Sequence, residues 1–265
     1  MLRKAFAFAA LGLILTAGPV LAATTQEEPA DVHWSFEGPF GKFDKEQLQR
    51  GFKVYREVCS ACHSMNLMYF RNLGQKGGPF YDAKYKNPND NAYVKSLAKD
   101  IQVKDIDQDT GDAITRPAMP ADKFAAPFPN EIAARASNGG ALPPDLSVIV
   151  KAREGGPDYV RSLLTGYAQA PAGFALPPGK LYNTYFPGHA IGMPPPLADG
   201  RVTFDDGTKS TLDQEAKDVA TFLAWASDPK MEERKQFGLG AMIYLLLFSV
   251  LLWFSYRKIW KNVAH

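Results

Sequence analysis

The chain has 265 residues, 46% apolar and 22% charged, with 20 prolines, 22 glycines and two cysteines. That apolar share excludes a disordered chain, so many prolines exclude an all-helical bundle, and two cysteines exclude a disulfide framework. The net charge of +2 lacks the basic excess expected of a nucleic-acid binder.

The N-terminus, Met1-Leu2-Arg3-Lys4, is followed by an apolar run to Val20 and small residues at Ala22-Ala23. This pattern predicts a secretory signal peptide over 1–22, cut after Ala22. Gly18-Pro19 argues against an uncleaved anchor, because it would break a spanning helix.

Asp44 is placed to cap a helix on which Leu48, Phe52, Tyr55 and Cys59 recur at spacings of four, three and four. Gly51 shares that face, where a missing side chain would permit close approach of another helix. The predicted helix leads into Cys59-Ser60-Ala61-Cys62-His63, a C-x-x-C-H sequence that holds both cysteines of the chain. Two thiols at this spacing can form thioethers to one edge of a haem, and the adjacent histidine then supplies an imidazole nitrogen to the iron. A thioredoxin-like pair would need a βαβ setting that is missing here. A zinc site would need a fourth ligand, with His33 and His189 as distant candidates.

Residues 77–115 contain Asp100, Asp105, Asp107, Asp109 and Asp112 and read as a solvated loop. The sharper alternative is a docking surface for a basic protein, with Asp205-Asp206 as a rival patch. Proline and glycine clusters at 139–144, 171–179 and 187–196 predict loops that wrap a cofactor.

A histidine-ligated haem iron has a sixth position. Met65 and Met68 follow His63 too closely to reach the opposite face, and Met231 lies past the domain. Met119, His189 and Met193 remain. Met193 is favoured: Pro194-Pro195-Pro196 stiffens the backbone after it, and it lies 130 residues beyond His63.

Thr211 to Gln214 reads as a capping box for a closing helix with Leu212, Ala216, Val219, Leu223 and Ala226 on one face, stopped at Asp228-Pro229. This helix and the one before the C-x-x-C-H turn are expected to cross and wall the haem. Phe237 to Tyr256 is a run of 20 residues without a charge, long enough as a helix for a bilayer core of about 30 Å. Trp253, Tyr256 and Trp260 suit the headgroup belt, and Arg257, Lys258 and Lys261 mark the far side as cytoplasmic. The predicted organisation is a signal peptide 1–22, an exported domain 23–229, a juxtamembrane segment 230–236, a transmembrane helix 237–256 and a cytoplasmic tail 257–265. Residues 23–229 carry 22 basic and 26 acidic side chains, a net of −4, which favours a basic partner.

Several runs resemble the cytochrome c1 family: Cys59 to Met65, Arg116-Pro117, Ala141-Leu142-Pro143-Pro144-Asp145-Leu146-Ser147, Ala152-Arg153, Gly155-Gly156, Tyr159-Val160, Leu163 to Tyr167, Gly192 to Pro196 and Lys217-Asp218-Val219. The likeness covers nearly all of 34–260. It implies a mainly α, cytochrome c-like haem domain with long irregular loops and one C-terminal membrane helix. It further implies one covalently attached haem c, held by thioethers to Cys59 and Cys62, with His63 and Met193 as the iron ligands. Arg153 and Tyr159 fall where the family bonds a haem propionate. The implied role is the haem subunit of a dimeric, bacterial-type cytochrome bc1 complex beside cytochrome b. There it would take an electron from the Rieske iron–sulfur protein and pass it to a soluble c-type cytochrome, with no catalytic residues of its own. The implied location is the bacterial inner membrane with the haem domain periplasmic. A free-standing anchored shuttle cytochrome is the alternative, and a haem peroxidase would require an open iron position. Family members with a further bridged cysteine pair differ from this chain, which has only two cysteines.

Overall fold

The computed structural model describes residues 26–262, and the signal peptide predicted over 1–22 lies outside the described residues. The fold is mainly helical with two short antiparallel strand pairs. Helix α1 spans Lys45–Glu57. Asp44 caps it as the sequence predicts, its carboxylate accepting the Gln47 N–H at 2.9 Å. A single 3-10 turn, Cys59–Ala61, follows directly.

Next come α2 (Phe70–Gly74) and α3 (Ala92–Lys99), the latter capped by Asn91, whose side chain accepts from the N–H groups of Tyr93 and Val94. Strands β1 (Gln102–Ile106) and β2 (Ala113–Pro117) pair antiparallel, from Gln102 opposite Pro117 to Ile106 opposite Ala113. The reading of 77–115 as a solvated loop is therefore corrected: the segment holds a helix and a hairpin. Both strands are largely exposed, so neither carries the apolar alternation that marks a half-buried strand. Its aspartates are mostly engaged. Asp105 and Asp122 flank Arg116, Asp100 pairs with Arg56 at 2.8 Å, and Asp107 accepts the Asp109 and Thr110 N–H groups at the hairpin turn. Asp109 and Asp112 stay exposed.

Beyond α4 (Glu131–Ser137) and α5 (Gly156–Thr165), strands β3 (Leu181–Tyr182) and β4 (Ala190–Ile191) form the second pair. Helix α6 (Leu212–Ser227) is the centre of the domain. From Glu215 to Ser227 every residue except Lys217 is buried, so α6 is covered on more faces than its single predicted apolar stripe. The capping box is half formed. Thr211 accepts the Gln214 N–H at 3.2 Å, but the Gln214 side chain reaches forward to Asp218 at 2.8 Å.

Helices α1 and α6 pack so closely that a Cβ at Gly51 would sit 2.0 Å from the Asp218 carbonyl oxygen. Around this crossing the Phe52 and Phe222 rings meet edge-on at 5.6 Å, and Tyr55 lies 5.7 Å from Phe222. Each such ring contributes roughly 2–3 kcal/mol on burial. The fully buried Asp218 carboxylate is matched by Arg50 Nε at 2.8 Å, and Arg50 also reaches Asp206 at 2.7 Å.

Helix α7 runs over Met231–Trp260, so the predicted juxtamembrane segment forms its first turns and the helix outruns the charge-free stretch at both ends. Its 30 residues span about 45 Å. Its most apolar window has a mean hydropathy of 2.2 and is not buried against the rest of the protein. Among the described residues this is the one helix long and apolar enough to cross a membrane.

Gly51→Ala tests the crossing. Alanine gains about 1 kcal/mol of helix propensity over glycine, but overlap with a backbone carbonyl costs more, roughly 2–3 kcal/mol. The expected net result is a lower unfolding midpoint in a thermal melt.

Candidate functional site

The C-x-x-C-H turn leaves the C-terminal end of α1. Backbone N–H groups of Cys62 and His63 both bond the Cys59 carbonyl, at 3.1 and 2.9 Å, which winds the five residues into one tight turn. Both cysteines are free thiols; Cys59 packs against the core and Cys62 is exposed. Burial, with a smaller contribution from Cys62, pushes the Cys59 thiol up to about 12. Such a thiol is protonated at neutral pH and unlike the depressed thiol of a reactive redox pair.

The His63 ring has a defined orientation. Nδ1 lies 2.8 Å from the Pro144 carbonyl oxygen. A carbonyl only accepts, so Nδ1 carries the proton and Nε2 presents a lone pair. Burial lowers the His63 pKa against the opposing pull of the Pro144 carbonyl and Asp145, which keeps the imidazole neutral. A backbone carbonyl behind a histidine is the usual support of a metal-ligating ring.

Pro144 is itself fixed by a latch between two segments. Asp145 accepts from Ser64 Oγ, the Asn66 N–H and the Ser147 N–H, each at 2.8 Å. Ser147 Oγ accepts the Leu67 N–H at 3.0 Å, and the Leu146 N–H bonds the Ser64 carbonyl at 2.9 Å. Burial raises the Asp145 carboxyl, but these donors outweigh it and hold the group below the usual carboxylate range.

Met193 follows β4 and packs, partly buried, against the core. The Tyr167 hydroxyl donates to its carbonyl at 3.0 Å. Just before it, Gly192 lies against Ala141, whose Cβ would be 3.3 Å from a Cβ added at the glycine. Since Pro144 bonds His63 three residues beyond Ala141, the 141–144 segment links the surroundings of His63 to those of Met193.

The other candidate ligands lie in varied surroundings. Met65 and Met68 are core residues at 0% and 3% exposure, and Met119 is half-exposed beyond β2. His189 is buried in a left-handed turn with φ 57°, its ring stacked 5.3 Å from Tyr182 and its Nδ1 3.2 Å from the Asn183 carbonyl. His33 is exposed and faces Glu37 at 3.7 Å. No three His, Cys, Asp or Glu side chains gather as a metal-ligand set among the described residues.

Arg153 and Tyr159 are brought together at the start of α5. Gly155, at φ 78°, turns the chain there, and a Cβ at this position would lie 3.0 Å from Pro29 Cγ and 3.3 Å from Tyr159 Cβ. Burial raises the Tyr159 hydroxyl, opposed by the charge and hydrogen bond of Arg153. Arg153 is exposed and also donates to the Ala152 carbonyl at 2.8 Å. Two free thiols, a neutral imidazole with an uncommitted Nε2, the Met193 thioether and an Arg–Tyr pair are side chains of the chemistry that a c-type haem takes.

Pro144, Asp145 and Tyr167 carry no role in the sequence reading. A backbone carbonyl leaves no mark in a sequence, although Asp145 two residues before Ser147 is the spacing of an Asx turn, which the structure forms.

The profile of the Cytochrome C1 family matches residues 34–263. The chain is 41% identical over 278 residues to a protein named cytochrome c1 from Rhodospirillum rubrum, covering 98% of this chain and 97% of that one. It is 45% identical over 286 residues to a cytochrome b/c1 of Bradyrhizobium diazoefficiens, covering 98% of this chain and 40% of the other. A cytochrome b-c1 complex catalytic subunit of Candida albicans is 45% identical over 253 residues, 95% of this chain and 84% of that one.

Asp145→Ala should lower the unfolding free energy by about 2 kcal/mol at neutral pH, because two backbone N–H groups lose their acceptor. The depressed carboxyl contributes fully above its unfolded value of about 4 and less as pH falls through the folded one. Denaturant titrations at about pH 7 and about pH 3 should therefore show the gap to wild type closing in acid.

Proposed function

The chain belongs to the cytochrome c1 family, and on that premise we propose that it is the haem-bearing, membrane-anchored subunit of a cytochrome bc1 complex. In this reading it takes an electron from the Rieske iron–sulfur protein and passes it to a soluble c-type cytochrome. The observation that carries the reading is the His63 ring beside two free thiols, its Nδ1 bound to a carbonyl and its Nε2 left as a donor.

Bound there, haem c supplies a one-electron iron couple. Cys59 and Cys62 would hold it as thioethers, with His63 Nε2 and the Met193 sulfur as the iron ligands. The His63 tautomer is set by Pro144, so the ring needs no reorganisation to serve as a ligand. Pro194-Pro195-Pro196 and the Tyr167 hydroxyl restrict the backbone that carries Met193. Arg153 and Tyr159 offer a cation and a hydroxyl to carboxylates, which suits haem propionates. No side chain is required to move a proton, and no independent catalytic activity is assigned.

The proposed arrangement keeps the signal peptide at 1–22, a periplasmic domain at 23–229, a juxtamembrane segment at 230–236, the inner-membrane span at 237–256 and a cytoplasmic tail at 257–265. Basic residues after the span support that orientation. Cytochrome b is the expected neighbour of α7, in a dimeric complex. The acidic domain favours a basic carrier. Asp205 pairs with Lys53, and Asp206 shares Arg50 with the buried Asp218, which favours the hairpin end with Asp109 and Asp112 as its encounter surface.

Mass spectrometry of the denatured chain should show one haem added to the processed polypeptide; a bare mass would overturn the assignment. Met193→Leu should keep the haem attached and lower its midpoint potential in a redox titration, because a methionine ligand raises it. Mild detergent extraction should copurify cytochrome b and the Rieske protein, whereas recovery of the chain alone would favour a free-standing shuttle.

A further inference from the structure

The loop between Trp34 and Phe43 is tied to the first turns of α7. Glu232 accepts the Phe43 N–H at 3.0 Å. One turn further along the helix, Lys235 Nζ donates to the carbonyls of Phe36 at 2.7 Å and Gly41 at 3.3 Å. Both ends of the loop are therefore fastened beside the first turns of α7, by side chains two and five residues before the charge-free stretch begins at Phe237. The step from Glu232 to Lys235 is about 4.5 Å along the axis, and Phe237 begins the stretch about 3 Å beyond.

The loop is rigid at its base and bare at its tip. Phe36 stacks between Trp34 at 5.6 Å and Phe43 at 4.8 Å. Gly41 is folded so tightly that a Cβ there would lie 1.9 Å from the Glu37 carbonyl oxygen. Gly38, Pro39 and Phe40 protrude from this closure, and Phe40 is 75% exposed. Lys42 beside it is exposed as well.

We propose that the 37–42 loop is a second membrane contact, with Phe40 seated at the lipid headgroup boundary next to the entry point of α7. The occupant is the lipid surface, since the base of the loop is fastened to Glu232 and Lys235, in the last turns of α7 before its apolar stretch, and its exposed tip is aromatic. An aromatic ring with a neighbouring lysine suits that boundary. The proposal rests on α7 as a membrane anchor and is independent of the haem assignment.

The test uses the full chain reconstituted in vesicles of phosphatidylethanolamine and phosphatidylglycerol. Nitroxide labels are placed at Phe40→Cys, Leu246→Cys and Thr110→Cys, with the labelled wild type as the blank, and collision with oxygen is compared with collision with a water-soluble nickel chelate. Leu246 lies within the span and Thr110 at the hairpin turn. Position 40 should shift toward oxygen relative to 110 and less far than 246. A value at 40 equal to that at 110, with 246 still in the bilayer, would overturn the proposal alone. If 246 also matched 110, the anchor reading would fall with it. Label at 40 shielded from both reagents in complex-bound protein, yet matching 110 in the chain alone, would assign the loop to a protein neighbour and overturn the lipid contact.

Discussion

The contact between α1 and α6 at Gly51 fixes where the chemistry sits. With the Asp218 carbonyl where a side chain would otherwise be, the two backbones approach too closely for any residue larger than glycine at position 51. The Cys59–His63 turn continues directly from α1, so its position is inherited from that crossing. The Arg50–Asp218 pair strengthens the same point. A buried carboxylate is tolerable only with its partners in place, and Arg50 on α1 and Gln214 on α6 both meet it.

From this wall the site is assembled by loops that are individually irregular and mutually constrained. The 64–67 segment is fastened to 145–147, the 141–144 stretch reaches both His63 and Gly192, and Tyr167 holds the backbone of Met193. Regular secondary structure is sparse here, and side-chain hydrogen bonds take its place in satisfying the backbone. The prolines and glycines that exclude an all-helical bundle are the residues from which such loops are built.

Legibility in the sequence follows from which interactions are local. Asp44 and Thr211 announce α1 and α6 because a cap acts within three residues, and the charge-free run announces α7 because apolar length is additive along the chain. The C-x-x-C-H turn is legible for the same reason. The β1–β2 hairpin is not, because its strands are open on both sides and its aspartates resemble a solvated run. Their pairing with Arg56 and Arg116 becomes visible only once the chain is folded. The role of the Pro144 carbonyl depends on a partner 81 residues away, and Tyr167 on one 26 residues away. Neither separation has a periodic signature. His189 is a further case: its stacking on Tyr182 and its left-handed turn leave no mark in the sequence beyond the residue type.

The passage from α6 to α7 is short and braced. Asp228, which ends α6, accepts from both Lys151 and Arg234, and Glu232 and Lys235 fasten the emerging helix to the 36–43 loop. A joint of this kind behaves as a weld. With α7 as the proposed membrane span, a change of tilt to suit a thicker or thinner bilayer would carry the braced domain with it. Lipid thickness would then set the attitude of the domain above the bilayer.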